Sequence, residues 1–516
     1  MRTGKDCFKA TRRLRAALLT SSALALAWSL PATPARAQDA TWLAAPGSNR
    51  YDFGTSWSTG TVPSGTASFG ASNTTSLSLP GNDEANTTNV GGWTFNAGAG
   101  NYTFATGQFL NFNGAGIVIN GGSATINMVD GGVNFLNAST AGGATINNDN
   151  PTSAVNFYNT STAGTSAITT YGSVNFYDAS TAGSAHITVN YNGDDGGWLF
   201  FNNTSSAGSA TITNNMHLSF KDSSTAGSAT ITNNGGVSFS GASTAGNATI
   251  INNTNSFLGF SGTSTAGNAA ITNAAGGIVD FSASTGPAGD GKLSAGSIAG
   301  AGSFFLGARE LTVGGNNLST EVSGVISDCG TSPTCSAAGA TGGSLVKTGT
   351  GTLTLSGANT YSGGTTINGG TLQLGAATRT GSILGTIGVG SGGTLAVVNA
   401  DTTGITSISS EGAVIFRNTS SAGSTVITST GHGTVDFYDQ STAGSATIIN
   451  NADTPTYAVT FHNTSSAGTA NLSNDIGGTF YFRDASTAAN ATINNITNRT
   501  TAFYDTQHGR PRDHQQ

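Results

Sequence analysis

Charge is what this chain has least of. Asp, Glu, Lys and Arg together make up 8% of its 516 residues, and there are only ten Pro, three Cys and three Met. So little positive charge leaves no basic patch for nucleic acid, whose phosphates must be met by clustered Lys and Arg. The thin supply of carboxylates also works against the convergent acid groups that glycan-cleaving and metal sites need. No stretch beyond residue 37 is apolar enough to span a membrane as a helix. What is abundant is Gly, at 75, with Ser, Thr and Asn filling much of the rest. That composition suits a disordered low-complexity chain, but its apolar residues are phased, and disorder makes no demand on phase.

The phase belongs to a repeat. Aligned on an aromatic, a glycine and an aliphatic residue, the copies include Phe135/Gly142/Ile146, Phe176/Gly183/Ile187, Phe220/Gly227/Ile231 and Phe437/Gly444/Ile448. In all eleven copies the aromatic lies seven residues before the glycine position, and the aliphatic lies four after it. The gap from each aliphatic to the next Phe within a block varies from eight to fourteen residues. A fixed core with a variable connector is what a stacked coil needs, with the same side chains lying above one another from copy to copy. Each copy opens with alternation, as in Val174-Asn-Phe176, which places Val and Phe on one face. A Ser-Thr-Ala-Gly or Ser-Ser-Ala-Gly turn follows, then a short strand such as Ala229-Thr-Ile-Thr232. Short strands with no helical signal between them predict an all-β, elongated parallel β-helix. One buried Phe and one Ile stabilise by about 1.5–3 kcal/mol each. Ordering twenty residues costs roughly 1–2 kcal/mol apiece, so a single coil cannot stand alone and must stack.

Residues 1–37 read as a cleaved signal peptide. Arg2, Lys5, Lys9, Arg12, Arg13 and Arg15 form a cationic start, Ala16 to Leu30 is mostly apolar, and Ala35-Arg36-Ala37 is a cleavage site. Removing it takes away seven basic residues and one acid, leaving a net charge of about −13. Residues 38–100, with Trp42, Trp57 and Trp93, are expected to form an N-terminal cap and first rungs, since a bare solenoid end exposes core and backbone. Repeats occupy 101–290 and 401–500, a different β-helix segment occupies 291–400, and the polar tail 501–516 is expected to be disordered. Cys329 and Cys335 are expected to close a small disulfide loop in an exported chain.

The segment 343–375 is where a family shows itself. It contains Lys347-Thr-Gly-Thr-Gly-Thr-Leu-Thr-Leu355, Asn359-Thr-Tyr-Ser-Gly-Gly-Thr-Thr-Ile367 and Gly369-Gly-Thr-Leu-Gln-Leu374. This closely resembles the autotransporter-associated β-strand repeat of Gram-negative passenger domains. The resemblance covers about thirty residues. It implies a right-handed β-helix that is exported and displayed at the cell surface, associated with the outer membrane, or released. It supplies no catalytic residue. A complete autotransporter also carries a membrane β-barrel of many amphipathic strands, and nothing after Ile493 has that pattern. The sequence is therefore read as a passenger without its translocator, periplasmic if no translocator exists, with truncation as one explanation.

Candidate chemistry is sparse. Asp178, Asp222, Asp439 and Asp484 share the position two residues after the Phe and are read as outward turn residues rather than a polysaccharide-cutting site. His186, His217, His432, His462, His508 and His514 show no metal-ligand spacing, and His186 and His462 are read as solvated. Asp130-Gly-Gly132 and Asp194-Asp-Gly-Gly197 lack the period of calcium-binding nonapeptides. Thr211-Ile-Thr213 and Thr230-Ile-Thr232 could begin an ice-matching row, but Thr249-Ile-Ile251 breaks it. The expectation is a non-enzymatic scaffold without metal or cofactor, structural or adhesive, with glycans or like chains as partners. A polysaccharide-acting β-helix enzyme or a nonfunctional remnant are the alternatives.

Overall fold

The structure, a computed structural model, describes residues 37–79, 87–191, 196–329, 335–337, 339–475, 477–496, 499–504 and 511–512. The signal peptide expected at 1–37 falls almost wholly outside the described residues, as does most of the tail beyond Tyr504. The chain winds as a parallel β-solenoid of about 19 turns. At ~4.8 Å per coil the rod is roughly 90 Å long.

Each coil has three faces, met in the same order along the chain. Face one is a 14-stranded ladder from Ala40–Thr41 to Val325–Ser327. Face two becomes a 10-stranded ladder from Lys292–Ala295 to Thr492–Asn495. Face three runs from Ser76–Leu79 to Thr500–Tyr504. Thr500–Tyr504 pairs in parallel with Thr479–Phe482 and buries Ala502, so the solenoid continues into the stretch expected to be a disordered tail. Its Phe503 continues the inward aromatic row, which is the reason for the extra strand.

The repeat dictates the coil. In the first block the strand carrying Phe lies on face one, for example Ser173–Phe176 between Ala154–Phe157 and Trp198–Phe201. The strand carrying Ile lies on face three, for example Thr230–Asn233 between Thr211–Asn214 and Thr249–Asn252. Like residues meet in register. Phe135 and Phe176 flank Phe157, and Phe220 lies between Phe201 and Phe239. Ile146 and Ile187 flank Ile168 on face three, and Ile231 pairs with Ile212 further up the same row. From Phe112 to Phe281 nine rings stack with centroids 4.6–5.0 Å apart and planes within 10°. Their spacing is the coil pitch, so backbone hydrogen bonding and ring contact are satisfied together.

Two corners need a left-handed backbone. The repeat glycines, among them Gly142, Gly183, Gly227 and Gly444, have φ of 57–63°. A Cβ on Gly183 would lie 2.7 Å from the Gly164 carbonyl oxygen one coil below. The Thr or Ser two residues earlier braces this turn by accepting the glycine N–H, as Thr181 Oγ1 does from Gly183 at 3.1 Å. These Thr and Ser residues also stack, Thr140 on Thr162 on Thr181 on Ser206, as single bridges where face two will later carry strands.

Inside, the stack is not wholly apolar. Asn214, Asn233, Asn252 and Asn273 are fully buried and linked amide to amide at 2.7–2.8 Å. Spare donors reach backbone carbonyls, as Asn233 Nδ2 does to Phe257 O at 3.0 Å, so the amide row closes the corner from face three to face one. At the N-terminal end the pattern changes to a mixed aromatic cluster. Trp42, Tyr51, Trp57 and Trp93 are buried, with Trp57 Nε1 donating to Tyr51 O at 2.8 Å and Trp93 Nε1 to Tyr51 Oη at 3.1 Å.

Between the blocks the repeat changes face. From 291 to 400 the coils come to build their strands on faces two and three, with Leu, Ile and Val inward. When the Phe repeat resumes, its Phe strands lie on face three, where Phe416 stands above Leu355, Leu374 and Val397, and Phe437 above Phe416. Its Ile strands lie on face two, where Ile427 stands above Ile387 and Ile408, and Ile448 above Ile427. Its Ser/Thr corner, Ser421 to Thr487, now lies on the side of face one, since the Ser382 and Asp401 bridges beneath it start from Ala358, whose neighbour Asn359 accepts the Ile326 N–H through Oδ1.

This corrects the expectation that equivalent repeat positions share one row. Ile146 and Ile187 stand on face three, whereas Ile448, their counterpart in the second block, stands on face two. Likewise Phe437 shares face three with Ile146 and Ile187, and not face one with Phe135. The physical reason is the aliphatic insert, which carries the backbone ladders upward without fixing which repeat position enters which face. Same-kind stacking therefore holds within each block and not across the insert.

The left-handed corner generates a prediction. In the last copy Ala489 takes the glycine position at φ 50°. Ala489→Gly is expected to stabilise the chain by up to about 1 kcal/mol, and Gly183→Ala to destabilise it by at least about 1–2 kcal/mol. Urea midpoints measure both, and a loss of stability in the first or a gain in the second would refute the corner argument.

Candidate functional site

The repeat positions that the sequence brings forward most strongly offer nothing to a ligand. Phe135, Phe176, Phe220, Phe437, Ile146, Ile187, Ile231 and Ile448 are each 0–1% exposed. Ile146, Ile187 and Ile448 point into the core from strands whose neighbours cover them above and below, so their part is packing alone. Any site must be built from the outward positions between them.

The acids singled out in the sequence occupy the second left-handed corner. The position two after each Phe has φ of 54–69° and holds Asp, Asn or Gly in every copy, the residue types that tolerate this region. Asp178, Asp222, Asp439 and Asp484 are exposed. Each accepts, through Oδ2, the backbone N–H of the matching Asn one coil below. Asp178 bonds Asn159, Asp222 bonds Asn203, Asp439 bonds Asn418 and Asp484 bonds Asn463, all at 2.8–2.9 Å. Where Asn holds the position its Oδ1 does the same, as Asn203 does for Asp178 at 2.9 Å. These carboxylates are therefore committed to coil stacking.

The outward faces carry amide and hydroxyl rows. On face one Asn89, Asn111, Asn134, Asn156 and Asn175 are linked side chain to side chain at 2.7–2.8 Å. On face three Thr188, Thr213 and Thr232 stack in register before Ile251 interrupts them. The parallel row is broken by His186 and Ala270, so no continuous Thr lattice forms.

Three histidines sit against aromatic rings, a feature that reading each copy separately missed. His217 stacks on Trp198 at 4.1 Å and His432 on Tyr457 at 4.4 Å. His462 stacks on Tyr438 at 4.3 Å, and its Nε2 lies 3.2 Å from Asp436 Oδ1. His462 is thus half-buried and partnered, in contrast to the solvated residue expected, whereas His186 is exposed. Arg417 lies over the Tyr438 ring at 4.7 Å, and Arg483 over Tyr481 at 5.0 Å and Tyr504 at 5.2 Å. Burial pushes the Asp436 carboxyl above its ordinary range, with His462 and Arg417 opposing the shift. The signal was present: the residue following each Phe in the second block reads Arg, Tyr, His, Arg, Tyr, and parallel register makes these positions a column.

Cys329 and Cys335 are joined by a disulfide, with Cα atoms 5.4 Å apart. The bridge packs with Phe305 on the outside of face one, against Ile278, Ala337 and Ala340. Asp280 is buried beneath this loop and accepts the N–H groups of Ser282 at 2.9 Å and Ser336 at 2.8 Å. Lys347 is another charged residue in the interior, 1% exposed in the inward row between Val313 and Ile367. Its Nζ donates to the carbonyls of Thr348 at 2.6 Å, Gly369 at 3.1 Å and Gly349 at 3.5 Å. Burial lowers its pKa. Among the described residues no group of three or more His, Cys, Asp or Glu could hold a metal ion. Among them, too, no helix is long and apolar enough to cross a membrane.

Residues 345–374 match the family described as the passenger-associated-transport-repeat. No curated protein sequence matches the chain. The matched residues supply face-two strands Ser344–Lys347 and Thr365–Ile367 and face-three strands Thr352–Leu355 and Gly370–Leu374. A transport repeat of this kind inside a parallel β-solenoid fits an autotransporter passenger.

Lys347 lies inside the matched segment, and its burial has a measurable consequence. A lysine whose folded pKa is depressed binds fewer protons folded than unfolded, so stability rises as pH climbs toward the ordinary value of 10.5. The wild-type urea midpoint minus that of Lys347→Met is expected to increase from neutral pH to 10.5. A difference that stays constant across that range would show that the buried ammonium carries no such cost.

Proposed function

We propose that the chain is an exported passenger of the autotransporter type with an adhesive, non-enzymatic role at the bacterial cell surface. The observation that carries the reading is the outward surface. Its stacked amide and hydroxyl rows repeat at the coil pitch, and the recurring acids Asp178, Asp222, Asp439 and Asp484 hold backbone N–H groups of neighbouring coils. Rows of neutral donors and acceptors suit many weak hydrogen bonds to glycans or to a like chain. The segment 1–37 supports export, since it has the cationic start, apolar run and small-residue cleavage site of a signal peptide. The matched transport repeat points to the cell surface or extracellular space.

The polysaccharide-acting alternative rests on one pair, Asp436 with His462 beside Tyr438. A glycan array probed with the chain lacking residues 1–37, together with sedimentation analysis for self-association, tests the adhesive role. Retention of glycans without their cleavage, or self-association, is expected. Cleavage of a bound glycan that Asp436→Asn abolishes would establish the enzymatic alternative, and neither binding nor self-association would sink the adhesive reading.

A further inference from the structure

The coil that completes the matched repeat carries a hairpin. After Leu374 the chain folds back on itself, and Ala376 and Arg379 form an antiparallel bridge. Ala376 N–H donates to Arg379 O at 2.9 Å and Arg379 N–H to Ala376 O at 3.4 Å. This hairpin overhangs the two coils that follow. Asn399, left-handed at φ 53°, props it with its Nδ2 3.4 Å from Ala377 O and 3.5 Å from Ala376 O. Beneath the overhang lies an open, shallow concavity of about 410 Å³ lined by the hairpin, by Asn399 and Ala400, and by Thr419 and Ser420. That volume is in the range of small-ligand pockets.

The lining has one charge, Arg379, and no acid. Elsewhere Arg50 pairs with Asp52, Lys292 with Glu310, and Lys347 with backbone carbonyls. Among the described residues Arg379 has no carboxylate within ion-pair distance. An exposed guanidinium at the rim of this concavity, without a carboxylate of its own, is a donor fork matched in shape to a carboxylate. Among the described residues the hydroxyls of Thr378, Thr380 and Thr419 make no side-chain hydrogen bond, so they are open to partners of their own kind, such as sugar hydroxyls. The pocket also has a continuation. Val398, next to Asn399, pairs in register with Arg417, where the Arg417–Tyr438–His462 column begins, and Arg483 follows on the same line. Of the acids beside the column, Asp439 and Asp484 are drawn onto the N–H groups of Asn418 and Asn463, and Asp436 is held by His462 Nε2 at 3.2 Å.

We propose that the cavity beneath the 375–381 hairpin holds one carboxylate-bearing sugar of an oligosaccharide of uronic acids, with further sugars laid along the column from Arg417 toward Arg483. This rests on the adhesive reading and narrows it to a site and a ligand class. The test is calorimetric titration of the chain lacking residues 1–37 with tetragalacturonate and with its methyl ester, using the wild type and Arg379→Gln. Arg379 is exposed on the hairpin, so the substitution leaves the core untouched, which a thermal melt checks. Binding of the acid is expected, weakened about tenfold or more both by esterification and by Arg379→Gln. Equal binding of acid and ester overturns the ligand class, and equal binding by wild type and Arg379→Gln overturns the pocket. Failure of the wild type to bind tetragalacturonate overturns the proposal, while glycans retained on the array would still leave the adhesive reading standing.

Discussion

Everything in this molecule depends on parallel register between successive coils. Once each backbone strand bonds to the one a coil below, every side chain must tolerate its own counterpart at the coil pitch. Phe meets Phe, Ile meets Ile, and amide meets amide, because those pairs gain from meeting: rings stack, aliphatics exclude water, and amides are at once donor and acceptor. Charge fails the same test, since like charges at that spacing repel. The scarcity of Asp, Glu, Lys and Arg is thus a property of the architecture. Lys347 shows the exception's terms: a single charge, inside, held by three carbonyls.

The same register explains the acids. Asp178 and Asp222 alternate with Asn159 and Asn203 along one corner, so a carboxylate has an amide residue next to it in the stack. Each carboxylate accepts a backbone N–H, which an acid does as well as an amide, and the left-handed backbone admits little beyond Asp, Asn and Gly. A catalytic reading of these residues would need them free.

The insert at 291–400 does more than interrupt. Its coils are lined by Leu, Ile and Val on faces two and three, and aliphatic rows accept either a Phe column or an Ile column above them. That neutrality lets the repeat resume one face back in the winding order, so that Ile448 ends on a different side of the rod from Ile146 and Ile187. The aromatic and cationic residues that flank Phe in the two blocks consequently look out from different sides as well. Trp198, His217 and Lys221 belong to face one, whereas Arg417, Tyr438 and His462 belong to face three.

The sequence by itself determined the coil: the fixed spacing of Phe, Gly and Ile names the inward rows and the turn, because stacking forces the same residue to recur at the same place. It determined the passenger-type repeat through Leu345 to Leu374, since that motif is local. It did not determine which face each block occupies, because an aliphatic insert transmits register without transmitting phase. Nor did it show that Arg417, Tyr438 and His462 form one column, or that Arg379 overhangs Asn399 and Thr419. Those residues are dozens apart in the chain and meet only because coils stack, so their proximity belongs to the tertiary structure alone.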